Sequence, residues 1–260
     1  MPGDLNRRVF VAGAGGVIGR RLCPLLVGDG WDVFGTTRKR DRTAALRAIG
    51  VHPVVVDVFD ESELLRVVAQ SQADVIIQQL TDLPPGLDPA KMAEARGRND
   101  RIREIGTRNL VAAARAAGAK RLIAQSIAFV YAPGPKPYEE DCPLDVTSAD
   151  EASAQRALAV RSLEQQVLDA PLAGIVLRYG KLYGPDTGFD RPPSGGPVHV
   201  DAAADAARRA ITRGKPGVYN IAEADGTISS LKAEKELGWS SGFRIEMAVE
   251  ASRDAELSRF

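Results

Sequence analysis

The chain has 260 residues, 44% hydrophobic and 26% charged, which is enough to bury one large core, with or without a small appendage. Lys plus Arg and Asp plus Glu number 34 each, so no net field favours a nucleic acid or an acidic membrane, and the expected partner is a small molecule. Two cysteines, Cys23 and Cys142, supply neither a disulfide framework nor a zinc spacing, and no apolar leader or membrane-length apolar run is found, so a soluble cytoplasmic chain is expected.

Short runs rich in Val and Ile predict strands at Val9 to Ala12, Val33 to Thr36, Val54 to Val58, Val75 to Ile77, Leu122 to Ala124 and Ile175 to Leu177. Such runs suit strands buried on both faces. Helical periodicity fills the gaps at Val17 to Leu26, Glu61 to Gln70, Pro89 to Ala117 and Glu151 to Leu168. Asp60 is suited to cap the second of these helices, Asp88 with Pro89 to open the third, and Gly118 to close it. Strand and helix in repeated alternation imply an α/β, doubly wound parallel sheet of Rossmann type. After Gly184-Pro185 a Pro/Gly stretch runs from Asp186 to Pro197, followed by a helix from Asp201 to Thr212, a strand around Val218 to Ile221 and a short helix around Ser229 to Leu237. This predicts a dinucleotide-binding domain over 1–180 and a small C-terminal substrate lobe over 181–260.

The first strand ends at Gly13-Ala14-Gly15-Gly16-Val17-Ile18-Gly19, and a helix begins near Val17. Strand before and helix after turn a glycine pattern into evidence for a pyrophosphate site: the first glycine permits the tight turn, the middle ones admit the phosphates to backbone amides, and Gly19 lets the helix approach the sheet. The second strand runs into Thr36-Thr37-Arg38-Lys39-Arg40-Asp41-Arg42. Where an NAD site places an acid to hold the ribose, Arg38 and Lys39 stand instead, which suits the 2′-phosphate of NADP. Asp41 is the competing feature, so NAD stays open.

These residues resemble the short-chain dehydrogenase/reductase superfamily in its extended or atypical branch, the NAD(P)-dependent epimerase/dehydratase group. The glycine turn carries the resemblance through Gly13, Gly16 and Gly19. Gly106-Thr107-Arg108-Asn109-Leu110, Leu177 to Pro185, Val198-His199-Val200-Asp201, Tyr219-Asn220-Ile221 and Leu237-Gly238-Trp239 are similar to its later landmarks. The resemblance implies that Asp57 meets the adenine, that Arg178 to Pro185 pass the nicotinamide, and that some helices pair across a homodimer axis. The cofactor-contacting set so implied is Gly13, Gly15, Gly16, Val17, Ile18, Arg38, Lys39, Asp57, Val58, Leu80, Thr81 and Tyr179.

The same family normally works through a Ser or Thr together with a Tyr and a Lys spaced YxxxK, and here that pair is missing. Setting Glu164 in the acidic position that follows the Lys brings Val160 to the Lys position and Arg156 to the Tyr; a one-residue slip offers Arg161 and Ala157. A guanidinium does not readily pass a proton near neutral pH, although Arg161 could hold ribose hydroxyls. On the serine strand, Tyr131 sets a register in which Ser126 fills the first hydroxyl position and Ile127 the catalytic one. Ser126 and Tyr131 are therefore the candidate catalytic residues, with Tyr138, Glu139 and His199 behind them. His52 and His199 with the two cysteines form no metal constellation.

Three functions compete: an NADP-dependent oxidoreductase or epimerase with an atypical proton donor, a non-catalytic NADP-binding sensor, and a non-redox lyase or cyclase. The short stretch between Gly184-Pro185 and Val198 leaves little room for a nucleotide, which favours a small organic carbonyl or hydroxyl substrate over a nucleotide sugar.

Overall fold

A computed structural model of the chain describes residues 5–245. The N-terminal residues 1–4 and the tail 246–260, on which the leader and C-terminal readings partly fall, lie outside the described residues. Seven strands form one sheet in the order β3-β2-β1-β4-β5-β6-β9, every neighbouring pair parallel. They are β1 (Arg8–Ala12), β2 (Asp32–Thr37), β3 (His52–Val55), β4 (Val75–Gln78), β5 (Arg121–Ile127), β6 (Ala173–Tyr179) and β9 (Gly217–Ile221). Val9, Phe10 and Val11 of β1 and Val75, Ile76 and Ile77 of β4 are wholly buried, because helices cover both faces of these central strands.

On one face α1 (Gly19–Gly28) and α7 (Val200–Ala210) pack with α8 (Leu231–Leu237) over Val9, Val11, Ile77 and Ile175. The alanine-rich α7 lies close to α1, and Arg208 ties the two by bonding both oxygens of Asp29. On the other face α3 (Glu61–Ser71), α5 (Thr107–Ala116) and α6 (Glu151–Leu168) cover Phe10, Ile76, Leu122 and Val176. Asp60, Asp88 and Asp150 each accept an amide of the helix that follows, satisfying donors that the helix itself leaves free.

Three elements differ from the sequence expectation. β3 ends at Val55 rather than Val58, because it lies at the sheet edge and its only partner, β2, ends at Thr37; Asp57 and Val58 fall in the turn beyond. The expected long helix over 89–117 is divided into α4 (Pro89–Arg101) and α5 by a wide π-type turn at Ile102–Gly106. Gln166 donates to the Glu104 carbonyl within this turn, and Gly106 fits against Val58, which a Cβ would approach at 3.2 Å. The helix α2 (Thr43–Ala48) was not expected, because its single buried side chain, Leu46, is too little for a periodic pattern.

The stretch after residue 180 does not stay apart from the sheet. β9 is its seventh strand, and α7 belongs to the main core. What stands beyond the sheet is a two-stranded parallel ladder, β7 (Lys181–Tyr183) with β8 (Pro197–His199), and the loops around it. Arg121, buried at the start of β5, fastens this half by donating to the carbonyls of Ala210, Ile211, Arg213 and Gly214 at the end of α7.

Candidate functional site

The chain runs outward from β1 to β2 and β3, then crosses back to β4 on the other side of β1. This reversal opens a crevice at the carboxyl ends of β1 and β4, the place where open α/β sheets take ligands. The glycine turn stands there. A Cβ on Gly13, whose φ is +92°, would meet the Gln79 carbonyl oxygen at 2.5 Å, and one on Gly19 would meet the Gly13 oxygen closer still. Both positions are required by the protein's own packing. Gly16 is tight, its Cβ falling 3.2 Å from the Gly13 oxygen, whereas beside Gly15 there is open space. The Gly13 amide donates to Thr36 Oγ1 at 3.0 Å, which fastens the turn to the end of β2.

An open cleft extends from this turn. Of the cofactor residues expected from sequence, Gly13, Gly15, Gly16, Arg38, Asp57, Val58, Leu80 and Thr81 line it together. Four do not. Val17 and Ile18 turn into the core, Lys39 lies exposed before the turn at Arg40–Arg42 and off the cleft wall, and Tyr179 is fully buried with its hydroxyl accepting from Gln79 Nε2 at 3.3 Å. Arg42 lines the cleft in place of Lys39, joined by Thr36, Thr37, Phe59, Gln79 and Ile102. Among the described residues, the titratable side chains on its wall are Arg38, Arg42 and Asp57. Arg38 reaches across the mouth to Asp82 at 3.3 Å, and Arg98 holds the same carboxylate.

The arrangement fits a dinucleotide. Open space lies beside Gly15, in the turn that leads into α1, where a pyrophosphate is suited to backbone amides and a helix N-terminus; two guanidiniums stand after β2 and one carboxylate after β3. The Gln79 side-chain oxygen is buried without a hydrogen-bond partner, at the point where the wall turns toward β4.

Beyond the cleft, Ser126 and Tyr131 belong to a buried polar network. Glu164 on α6 accepts from Ser126 Oγ at 2.8 Å and from Arg178 Nε and Nη2 at 2.8 and 2.7 Å. Arg178 also donates to Tyr131 Oη at 2.9 Å and to the Glu140 carbonyl, and Tyr131 Oη donates to Asn220 Oδ1 at 2.6 Å. Burial pushes the Tyr131 phenol up and only partly yields to Arg178; burial likewise raises Tyr179. Burial opposes the charge on Arg178, but the Glu164 carboxylate outweighs it and holds the guanidinium protonated. Tyr138 stacks on Tyr131 at 5.1 Å and Glu139 is exposed.

Where the family pattern puts a tyrosine and a lysine, α6 has neither residue type anywhere along its length. Ala157 and Val160 are wholly buried there, packed with Val130 and Ile127. Arg161 is exposed and Arg156 half-buried. His199 caps α7, its Nδ1 accepting from the Asp201 amide at 3.2 Å. Cys23 is buried, its thiol pushed up to about 12 by burial, and Cys142 lies in the loop before α6. Among the described residues no helix is long and apolar enough to cross a membrane, and no group of three or more His, Cys, Asp or Glu is placed to hold a metal.

The sequence profile of the NAD-dependent epimerase/dehydratase family matches residues 9–195. A 3-diazoavenalumate denitrifying reductase from a Streptomyces species is 39% identical over 236 residues, covering 83% of this chain and 76% of that protein. A 2-alkyl-3-oxoalkanoate reductase from Stenotrophomonas maltophilia is 30% identical over 184 residues, covering 68% of this chain and 52% of that protein. The fold is shared with the Thermus thermophilus UDP-glucose 4-epimerase solved in complex with NAD, at a TM-score of 0.70 and 20% identity, over 92% of this chain and 95% of that one.

Proposed function

The chain belongs to the NAD-dependent epimerase/dehydratase family, and on that premise we propose that it is an NADP-dependent reductase of a small organic substrate. The observation that carries the reading is the cleft at the β1/β4 crossover, where open space beside Gly15 meets Arg38 and Arg42 at one end and Asp57 at the other. The amides of the glycine turn and the N-terminus of α1 would hold the pyrophosphate, and Asp57, Val58, Leu80 and Thr81 the adenosine and the walls around it. When bound, the dinucleotide supplies a hydride.

NADP is favoured over NAD because the two guanidiniums on the wall can take a 2′-phosphate through charge-assisted bonds. The pairing of Arg38 with Asp82 does not stand in the way: Arg38 is 54% exposed, and ion pairs so placed are worth about 0–1 kcal/mol. A phosphate can take the side chain over. The Gly184 to Val198 segment is too short for a nucleotide-sugar lobe, which turns the reading from epimerase to reductase. Two relatives named as reductases support the same choice, one for a diazo compound and one for a 3-oxoalkanoate.

Ser126 and Tyr131, first expected to be catalytic, serve on this reading to anchor the Glu164–Arg178 pair, since both hydroxyls are taken up by buried partners. The proposal is tested by titrating the chain with NADPH and NADH and then following NADPH oxidation with diazo and 3-oxo substrates. Tight NADPH binding with turnover of either class is expected; binding with no turnover across both classes would favour a sensor.

A further inference from the structure

Two loops rooted on opposite faces of the sheet touch at its carboxyl end. The first, residues 82–88, leaves β4 just after the cleft-wall residue Thr81. It is rooted at Asp82, which pairs with Arg38 at 3.3 Å and Arg98 at 3.2 Å and whose amide donates to the Asn99 side-chain oxygen at 3.1 Å. It ends at Leu87, one residue before the Asp88 that opens α4, and α4 packs with α6. The second loop, residues 184–191, follows β7 and is held on the α1 face, where Asp186 meets Arg20 at 3.5 Å and Arg21 at 3.6 Å in the first turn of α1. The loops meet at Leu87 and Gly188: a Cβ on Gly188 would fall 2.5 Å from Leu87 Cδ1. A contact between loops so rooted has to span the carboxyl ends of the strands, where the crevice opens.

The joint can part at low cost. Each loop is closed by its own bonds: the Leu87 amide donates to the Pro84 carbonyl, the Gly184 amide to that of Phe189, and Thr187 Oγ1 to that of Gly184. Among the described residues no hydrogen bond or ion pair crosses from one loop to the other, so separation gives up an apolar contact and leaves each loop intact. The ion pairs at Asp186 are exposed, Asp186 at 54% and Arg20 at 50%, and such pairs hold weakly. Leu87, with φ +57°, and Asp186, with φ +66°, are two of the four non-glycine residues in the left-handed region among those described. That conformation is unfavourable for a residue with a side chain and collects at switches and ligand clamps.

We propose that the two loops form a bridge that parts to admit the dinucleotide and closes over it to slow its release, an inference that rests on the dinucleotide reading above. A dinucleotide lying from Arg38 past Gly15 toward the end of β6 crosses the carboxyl end of β4, which stands between β1 and β5 in the sheet, and so passes beneath the joint. When a 2′-phosphate takes Arg38, Asp82 keeps Arg98 and Asn99, and the root of the first loop stays in place while its tip moves. Exchange of the cofactor is then set by the loops rather than by diffusion.

The test is stopped-flow fluorescence of NADPH binding and release with the whole chain. A Leu87→Cys, Gly188→Cys double variant in a Cys142→Ser background locks the joint. The two Cβ positions lie 3.1 Å apart, within a small loop shift of the roughly 3.8 Å of a disulfide; Gly188 is outside the left-handed region and Cys23 is buried. Diamide before mixing should slow NADPH association at least about tenfold, diamide after loading should slow release at least about tenfold, and dithiothreitol should restore both, as gating by loops requires. Asp186→Asn, which frees the second loop from α1, should raise association and release together by about two- to fivefold, the scale of an exposed ion pair, with Kd within about twofold. Absence of NADPH binding by the unaltered chain would overturn the dinucleotide reading itself. With NADPH bound, a double variant that stays reduced in diamide, or an oxidised one with unchanged rates, would overturn the bridge alone. Rates that fail to move together in Asp186→Asn would do the same.

Discussion

Single residues in the glycine turn divide into those the protein needs and those its ligand needs. Gly19→Ala would drive a methyl group into the Gly13 oxygen, an overpacking that costs about 1–3 kcal/mol, and denaturant unfolding should register it with or without ligand. Gly15→Val meets nothing within 4 Å, so stability should stay within about 0.5 kcal/mol while NADPH titration shows binding abolished. If Gly15→Val binds normally, the open space is not the pyrophosphate site. At the other end of the cleft, Arg38→Ala and Arg42→Ala should each weaken NADPH by about 1–3 kcal/mol, the scale of a hydrogen bond to a charged group, and leave NADH nearly unchanged; Lys39→Ala should do little to either. Calorimetry giving Lys39 the larger effect would reverse that assignment. The basic run stands at the end of β2, but which of its side chains line the cleft was not legible in the sequence, because that depends on the turn at Arg40–Arg42, after which Arg42 joins Arg38 on the wall.

At the scale of elements, legibility followed how local the signal was. The limits of α6 were readable because Asp150 caps it and its apolar positions repeat over many turns. The network joining Ser126, Tyr131, Glu164, Arg178 and Asn220 was not, since its members come from β5, its following loop, α6, β6 and β9, and nothing in a local pattern pairs them. Tertiary contact alone defines it. Its role in joining those elements predicts that Glu164→Gln, which leaves Arg178 buried and without its charge partner, should cost about 3–5 kcal/mol, whereas Ser126→Ala, which removes one bond from an otherwise satisfied carboxylate, should cost about 1. Equal effects in urea unfolding would mean that the ion pair is not what holds β6 to α6. The β8 to α7 junction offers a pH test. Burial, with Arg244 nearby, lowers the His199 pKa below its ordinary value, against the opposing pull of Asp201 and Glu223. The unfolded chain therefore binds the proton more readily, and stability falls as pH drops through the ordinary histidine range and levels off below the folded value. Protonation also removes the lone pair that caps the Asp201 amide. His199→Asn keeps a capping acceptor and should flatten the stability difference between about pH 8 and 5; an unchanged slope would assign it to other groups.

For the whole molecule, the parallel sheet, its crossover at β1 and the ligand crevice there could be read from the order of strands, because alternating strand and helix leave few topologies open. The return of β9 to the sheet was harder to read, since the Pro/Gly stretch before it suggested a small lobe packed on the domain. Association is the property where the two levels part. The family resemblance led to an expected homodimer across the helices now seen as α4, α5 and α6. In the structure, Val160, Leu163 and Val167 of α6 are consumed by packing on the chain's own sheet. Of the large apolar side chains of that helix, Leu158 and Leu168 remain exposed, at 36% and 39%, and at about 100° per residue they point roughly 80° apart. The outer face of α4 carries Lys91, Glu94 and Arg96, all exposed. A stable interface needs about 800 Å² per partner around a well-packed apolar centre, and two divergent leucines beside a charged helix do not provide one. The expected state at micromolar concentration is therefore the 27.8 kDa monomer, unaltered by Leu158→Lys. Light scattering that gives twice that mass, together with its loss in Leu158→Lys, would restore the dimer and place its axis on α6.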